Sequence, residues 1–154
     1  MHVQSWDENY RGILTDDVIA SRDLASRQAL WTKILPQLQR VTLVASNEQG
    51  IVRGFASAVV LRPPVDGFDS YLQTLYLTSD AKGHGVGAAL LRSVAQELRE
   101  RGCKNMALRT LRLNPARDFY ERFGARLLAT FSHEAGVYDD VAYGFDDLAA
   151  LCPR

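Results

Sequence analysis

Leu75-Tyr76-Leu77, then Thr78-Ser79-Asp80-Ala81, then Lys82-Gly83-His84-Gly85-Val86-Gly87-Ala88-Ala89-Leu90-Leu91 is the stretch that decides the fold. Residues 71–77 are rich in strand formers, and the glycine turn behind them cannot continue a strand. Val86, Leu90, Val94 and Leu98 then recur four apart with Leu91 and Ala95 beside them, which predicts an amphipathic helix over 85–101. Gly102 is placed to end it as a left-handed C′ residue. The helix has no acid in its first turn; Glu97 is its first. A helix start carries roughly +0.5 charge and up to four unpaired N–H groups. Gly83, Gly85 and Gly87 remove side chains, while Lys82 and His84 add positive or donor character. The turn therefore reads as an anion site, suited to a phosphate or pyrophosphate.

Outward from this unit, the second half alternates strand and helix. Met106 to Leu111 is the next strand, Asn114 and Pro115 open a short helix that stops at Gly124, and strands follow near 126–131 and 137–145. In the first half, Val3, Trp6 and Tyr10 mark one helix, and Leu24, Leu30, Trp31, Ile34 and Leu35 mark a second that Pro36 ends. Val41 to Ala45 and Ile51 to Leu61 read as strands around the turn 46–50, and Pro63 to Ser70 reads as a loop. The expected fold is mixed α/β, a mostly antiparallel central sheet flanked by helices, in one domain over residues 1–154.

Composition removes several functions. Lys plus Arg total 18 and Asp plus Glu total 18, a balance that argues against nucleic-acid binding through a basic surplus. No apolar run approaches the ~20 residues of a membrane span, and no signal peptide precedes Trp6. Two cysteines, Cys103 and Cys152, form neither a disulfide framework nor a metal site. A cytoplasmic protein without metal is the expectation. Cys103 reads as a small buried residue, and His2 as an uninformative terminal one.

Gly83-His84-Gly85-Val86-Gly87-Ala88 also satisfies the dinucleotide pattern G-x-G-x-x-A. Five residues separate Leu77 from Gly83, however, and no acid ends the next strand, where Cys103, Thr110, Leu111 and Arg112 stand. A P-loop lacks its Gly-Lys-Ser/Thr. Leu75-Tyr76-Leu77 followed by Lys82 to Leu91 instead resembles the acyl-CoA site of the GNAT superfamily of N-acetyltransferases, with Gly85 and Gly87 at its two small positions. Asn114-Pro115-Ala116-Arg117-Asp118-Phe119-Tyr120-Glu121 with Gly124-Ala125 is similar to the second motif, and Trp6 with Tyr10-Arg11-Gly12-Ile13-Leu14 to an amino-terminal helix of one bacterial branch.

The resemblance implies an acetyl-CoA-dependent N-acetyltransferase in which a primary amine attacks directly in a ternary complex. Gly83, His84, Gly85, Val86, Gly87 and Ala88 would hold the pyrophosphate, with Lys82 reaching a phosphate as a point charge. Leu75, Tyr76 and Leu77 would pair with the pantetheine arm, where the family's sheet splays, and Asn114 and Phe119 would help to hold the coenzyme. Tyr120 would protonate the leaving thiolate. A backbone N–H of the strand would stabilise the oxyanion. A non-catalytic acyl-CoA-binding module, or transfer of a larger acyl group, is the alternative.

Two departures stand out. Where many members carry a basic Glu, this chain has Tyr71, so His133 and Glu134, with Asp139 and Asp140 behind them, are the candidate bases. The usual first strand is also absent ahead of the Trp6 helix. Strand 41–45 should then have an unpaired edge that a homodimer or another segment must cover. The loops expected to shape the acceptor pocket are Thr15–Arg22, Pro63–Ser70 and His133–Tyr138. Asp16, Asp17, Asp66 and Asp69 within two of them would favour a cationic amine.

Overall fold

The computed structural model describes residues 1–132 and 139–152. Helices α1 (His2–Tyr10), α2 (Asp16–Ala20) and α3 (Leu24–Ile34) precede strands β1 (Arg40–Ser46), β2 (Val52–Val65) and β3 (Phe68–Leu77). Helix α4 (Val86–Glu100), strand β4 (Met106–Leu111), helix α5 (Ala116–Arg122) and strands β5 (Arg126–Phe131) and β6 (Asp140–Phe145) follow. The strands form one sheet in the order β1-β2-β3-β4-β6-β5. Every neighbouring pair is antiparallel except β3 with β4. This is the expected mixed, mostly antiparallel architecture.

The parallel contact creates the site. β3 and β4 are joined only through Tyr71 with Ala107 and Leu72 with Leu108. Immediately beyond, the register of β3 against β2 slips, leaving Gln73 as an extra residue. Such a bulge bends its strand and redirects the side chains that follow. β3 then stays with β2 as far as Leu77 while parting from β4, and the sheet opens into a gap.

One face of the sheet is covered by α4, whose Leu90, Leu91, Val94, Ala95 and Leu98 are all at most 4% exposed. Each large apolar side chain buried this way contributes ~1.5–3 kcal/mol, so packing holds the helix in place. Its end is a Schellman turn: Gly102 has φ +86°, Cys103 N–H donates to Leu98 O (2.9 Å) and Gly102 N–H to Arg99 O (2.9 Å). On the other face, Trp6, Tyr10 and Leu14 pack with Val18, Ile19, Tyr76 and Leu111.

Three expectations are corrected. Residues 63–70 are not a loop. β2 runs to Val65, Asp66 and Gly67 (φ +51° and +84°) make a two-residue turn, and β3 begins at Phe68. Pro63 and Pro64 fall where the register between Val60 and Val65 is broken, so their missing N–H donors interrupt no ladder. Thr15–Arg22 contains α2. His2 is not idle: Trp31 Nε1 donates to its Nδ1 (3.0 Å), and its ring packs on Trp31, Phe55 and Tyr76. β1 is an edge strand on which Val44 is 62% exposed.

Candidate functional site

A cavity of about 60 Å³ lies in the gap between β3 and β4. Leu75 and Tyr76 from β3, Thr110 from β4, Asn114, and Tyr120 from α5 line it, and α1 adds Tyr10. Four residues singled out from sequence, Leu75 and Tyr76 from one stretch and Asn114 and Tyr120 from another, thus share one cavity. Leu77 links this strand to the glycine turn, since a Cβ on Gly87 would stand 3.3 Å from Leu77 Cδ1.

The turn itself presents donors. The N–H groups of Gly83, His84, Gly85, Val86, Gly87 and Ala88 meet no acceptor among the described residues. Gly83 and Gly85 take φ of +76° and +79°, which a side chain would strain. Gly87 is small for a different reason than close approach of a ligand. It lies inside α4, buried against Leu77 and Phe119, whose Cε2 would be 3.5 Å from an added Cβ. Asp80, the nearby acid, is held by Arg53 at 2.9 Å. Lys82 Nζ donates to Asn9 Oδ1 (2.7 Å), and His84 Nδ1 lies 2.8 Å from Lys82 O.

Asn114 joins β4 to α5: its Oδ1 accepts Ala116 N–H (2.9 Å) and its Nδ2 donates to Thr110 Oγ1 (3.1 Å). The side chain performs the expected capping although the helix proper starts at Ala116. Tyr120 is 6% exposed, and burial pushes its hydroxyl well above the ordinary tyrosine range, so it stays protonated. Phe119 packs beside it at 5.4 Å between ring centres. The Tyr10 and Tyr76 hydroxyls lie 3.4 Å apart, and burial raises both above the usual value. Neither Tyr10 nor Arg109, which also lines the cavity, stands out in the sequence as a site residue. Helical spacing marks Tyr10 as apolar-facing without saying which face of which sheet it meets.

No carboxylate lines the cavity among the described residues. Burial also raises Tyr71, which removes it as a base at neutral pH. His133 and Glu134 lie outside the described residues. Asp139 meets Arg112 at 3.1 Å and Asp140 meets Arg109 at 3.5 Å. Cys103 is buried with its thiol raised, as expected of a packing residue. Among the described residues, no group of three or more His, Cys, Asp or Glu could hold a metal, and no helix is long and apolar enough to cross a membrane.

A sequence model of the acetyltransferase (GNAT) family matches residues 6–125. The chain belongs to that family. Its reaction is accordingly an acetyl-CoA-dependent N-acetyl transfer. This GNAT chain is 31% identical over 153 residues to the uncharacterized N-acetyltransferase YuaI of Bacillus subtilis (strain 168), covering 98% of this chain and 87% of that one. Its fold is shared with the PaiA N-acetyltransferase of Thermoplasma acidophilum in complex with coenzyme A (TM-score 0.75, 21% identity, 93% of this chain and 87% of that chain). It is shared also with the aminoglycoside 6'-N-acetyltransferase of Enterococcus faecium (TM-score 0.68, 15% identity, 99% and 92%).

Proposed function

We propose that acetyl-CoA lays its pyrophosphate on the N–H groups of Gly83 to Ala88 and its pantetheine arm along Leu75 to Leu77. The observation that carries this reading is the free side of β3, followed after a short turn by the donor-rich start of α4. The thioester would then enter the gap, where an amine attacks it directly. The N–C bond forms and the C–S bond breaks, the thiolate takes a proton from Tyr120, and the amine gives one up. An amine of pKa ~10.4 is only about one part in a few thousand neutral at pH 7, so a proton acceptor is required. His133 and Glu134 are the proposed acceptors for that proton. Residues 1–154 act as one catalytic domain. The exposed β1 edge supports pairing with a second copy, which sedimentation would detect, and the two free cysteines support a cytoplasmic location.

Thermal unfolding with saturating acetyl-CoA, with NAD and ATP as controls, tests the reading. At ~100 times Kd the ligand adds about 2.7 kcal/mol, a rise of about 5–10 °C for a domain of this size. A rise with acetyl-CoA alone is expected; its absence overturns the assignment.

A further inference from the structure

Next to Tyr10, which lines the cavity, stand donors that the fold leaves unmatched. Trp6 packs on Tyr10 with 4.3 Å between ring centres, and the Arg22 guanidinium sits 4.2 Å over the Trp6 ring. Arg22 forms no ion pair with a described carboxylate. Trp6 Nε1 is buried without an acceptor, and Thr74 Oγ1, on the cavity wall, is buried without a partner. A guanidinium stacked on an aromatic ring keeps its N–H edge available for two parallel bonds to a carboxylate.

Among the described residues, the acids nearby are already engaged. Asp140 faces Arg109 and Asp139 faces Arg112, while Glu8 accepts from Ser79. Asp16 and Asp17 stand in the first turn of α2, where the helix dipole favours them. Asp66 and Asp69, two acids that would favour a cationic amine, lie at the hairpin end of β3. Asp69 is about 23 Å from Tyr76 at strand rise, and its carboxylate accepts the N–H groups of Lys104 and Asn105. Among the described residues, the uncompensated charge beside the Tyr10–Tyr76 pair is therefore positive.

We infer that the acceptor is an amine that also carries a carboxylate: Arg22 takes the carboxylate, and the Tyr10 and Tyr76 hydroxyls flank the amine. This rests on the proposed placement of the thioester in the gap. A polyamine would instead bring its remaining cations against Arg22.

Release of CoA from acetyl-CoA would be followed with matched pairs, L-phenylalanine against phenethylamine and β-alanine against propylamine, with spermidine as the polycation. The carboxylate-bearing member of a pair should show a kcat/KM higher by at least about tenfold. Arg22→Gln should bring the pair to within about twofold of each other while leaving the acetyl-CoA thermal shift as in the native protein. Arg22→Lys should retain part of the preference. Thermal shifts by N-acetylphenylalanine and N-acetylphenethylamine in the presence of CoA provide the same comparison without turnover. Equal members in both assays, a preference that survives Arg22→Gln, or spermidine as the best acceptor would overturn the inference. Loss of the acetyl-CoA shift in the native protein would instead overturn the donor placement beneath it.

Discussion

Lys82 is tied to Asn9: its ammonium donates to Asn9 Oδ1 across 2.7 Å, and the neighbouring Ser79 hydroxyl donates to Glu8 across 2.7 Å. The glycine turn and the first helix are thus held together by side chains that a bound phosphate would compete for. Asn9→Ala removes the competitor. An exposed bond of this kind is worth about 1 kcal/mol, so acetyl-CoA should bind about fivefold more tightly. Calorimetric titration would read it, and Lys82→Ala should shift the Kd in the opposite direction and weaken its salt dependence.

Tyr120→Phe should lower kcat by ~10²–10⁴-fold while acetyl-CoA affinity holds, because the ring stays and only the proton donor goes. Burial raises the Tyr120 hydroxyl above its ordinary value, so the protonated form persists through pH 10. A kcat–pH profile should accordingly show no loss from this group between pH 8 and 10. Activity equal to that of the native protein would remove Tyr120 from the mechanism.

His2 is held neutral, its pKa lowered to about 4, first by burial and then by Arg27 and Arg22. The unfolded ring titrates near 6.5 and so binds more protons between those values than the folded one. His2 therefore supports the fold fully above pH 6.5, and the contribution is lost as pH falls toward 4. Protonation would also place a hydrogen on the Nδ1 that accepts from Trp31. His2→Phe should lose less of its Tm than the native protein between pH 7 and 4.5; equal losses would refute the assignment.

Two glycines should fail differently. Gly87→Val drives a side chain into Leu77 and Phe119 and should cost ~1–3 kcal/mol by overpacking. Gly85→Ala meets open space but must hold φ near +79°, a cost of ~1–2 kcal/mol from backbone strain alone. Gly85→Asn, which tolerates that conformation, should recover most of the loss in Tm, whereas no polar replacement rescues position 87.

The helix over 85–101 and its Gly102 cap were legible because a fourfold apolar spacing and a lone glycine have few other solutions. The gathering of Leu75, Tyr76, Asn114 and Tyr120 was legible through ordered motifs rather than periodicity. The hairpin at Asp66-Gly67 was not read, although that dipeptide is a strong turn signal, because Pro63-Pro64 beside it suggested a loop. His2, Tyr10 and Arg22 escaped for a common reason. Each acquires its role from side chains far away in sequence, and local spacing carries no information about such partners.

The bulge at Gln73 leaves the molecule as two half-sheets, β1 to β3 and β4 to β6, buttoned together at two residue pairs and bridged by α4. On the proposed reading, the pantetheine arm is the missing strand between them. The coenzyme is then a structural beam as well as a reagent, taken out and replaced at every turnover. Rigidity would come and go with the catalytic cycle, and amide exchange along Leu75 to Leu77 and Thr110 to Leu111 would keep time with it.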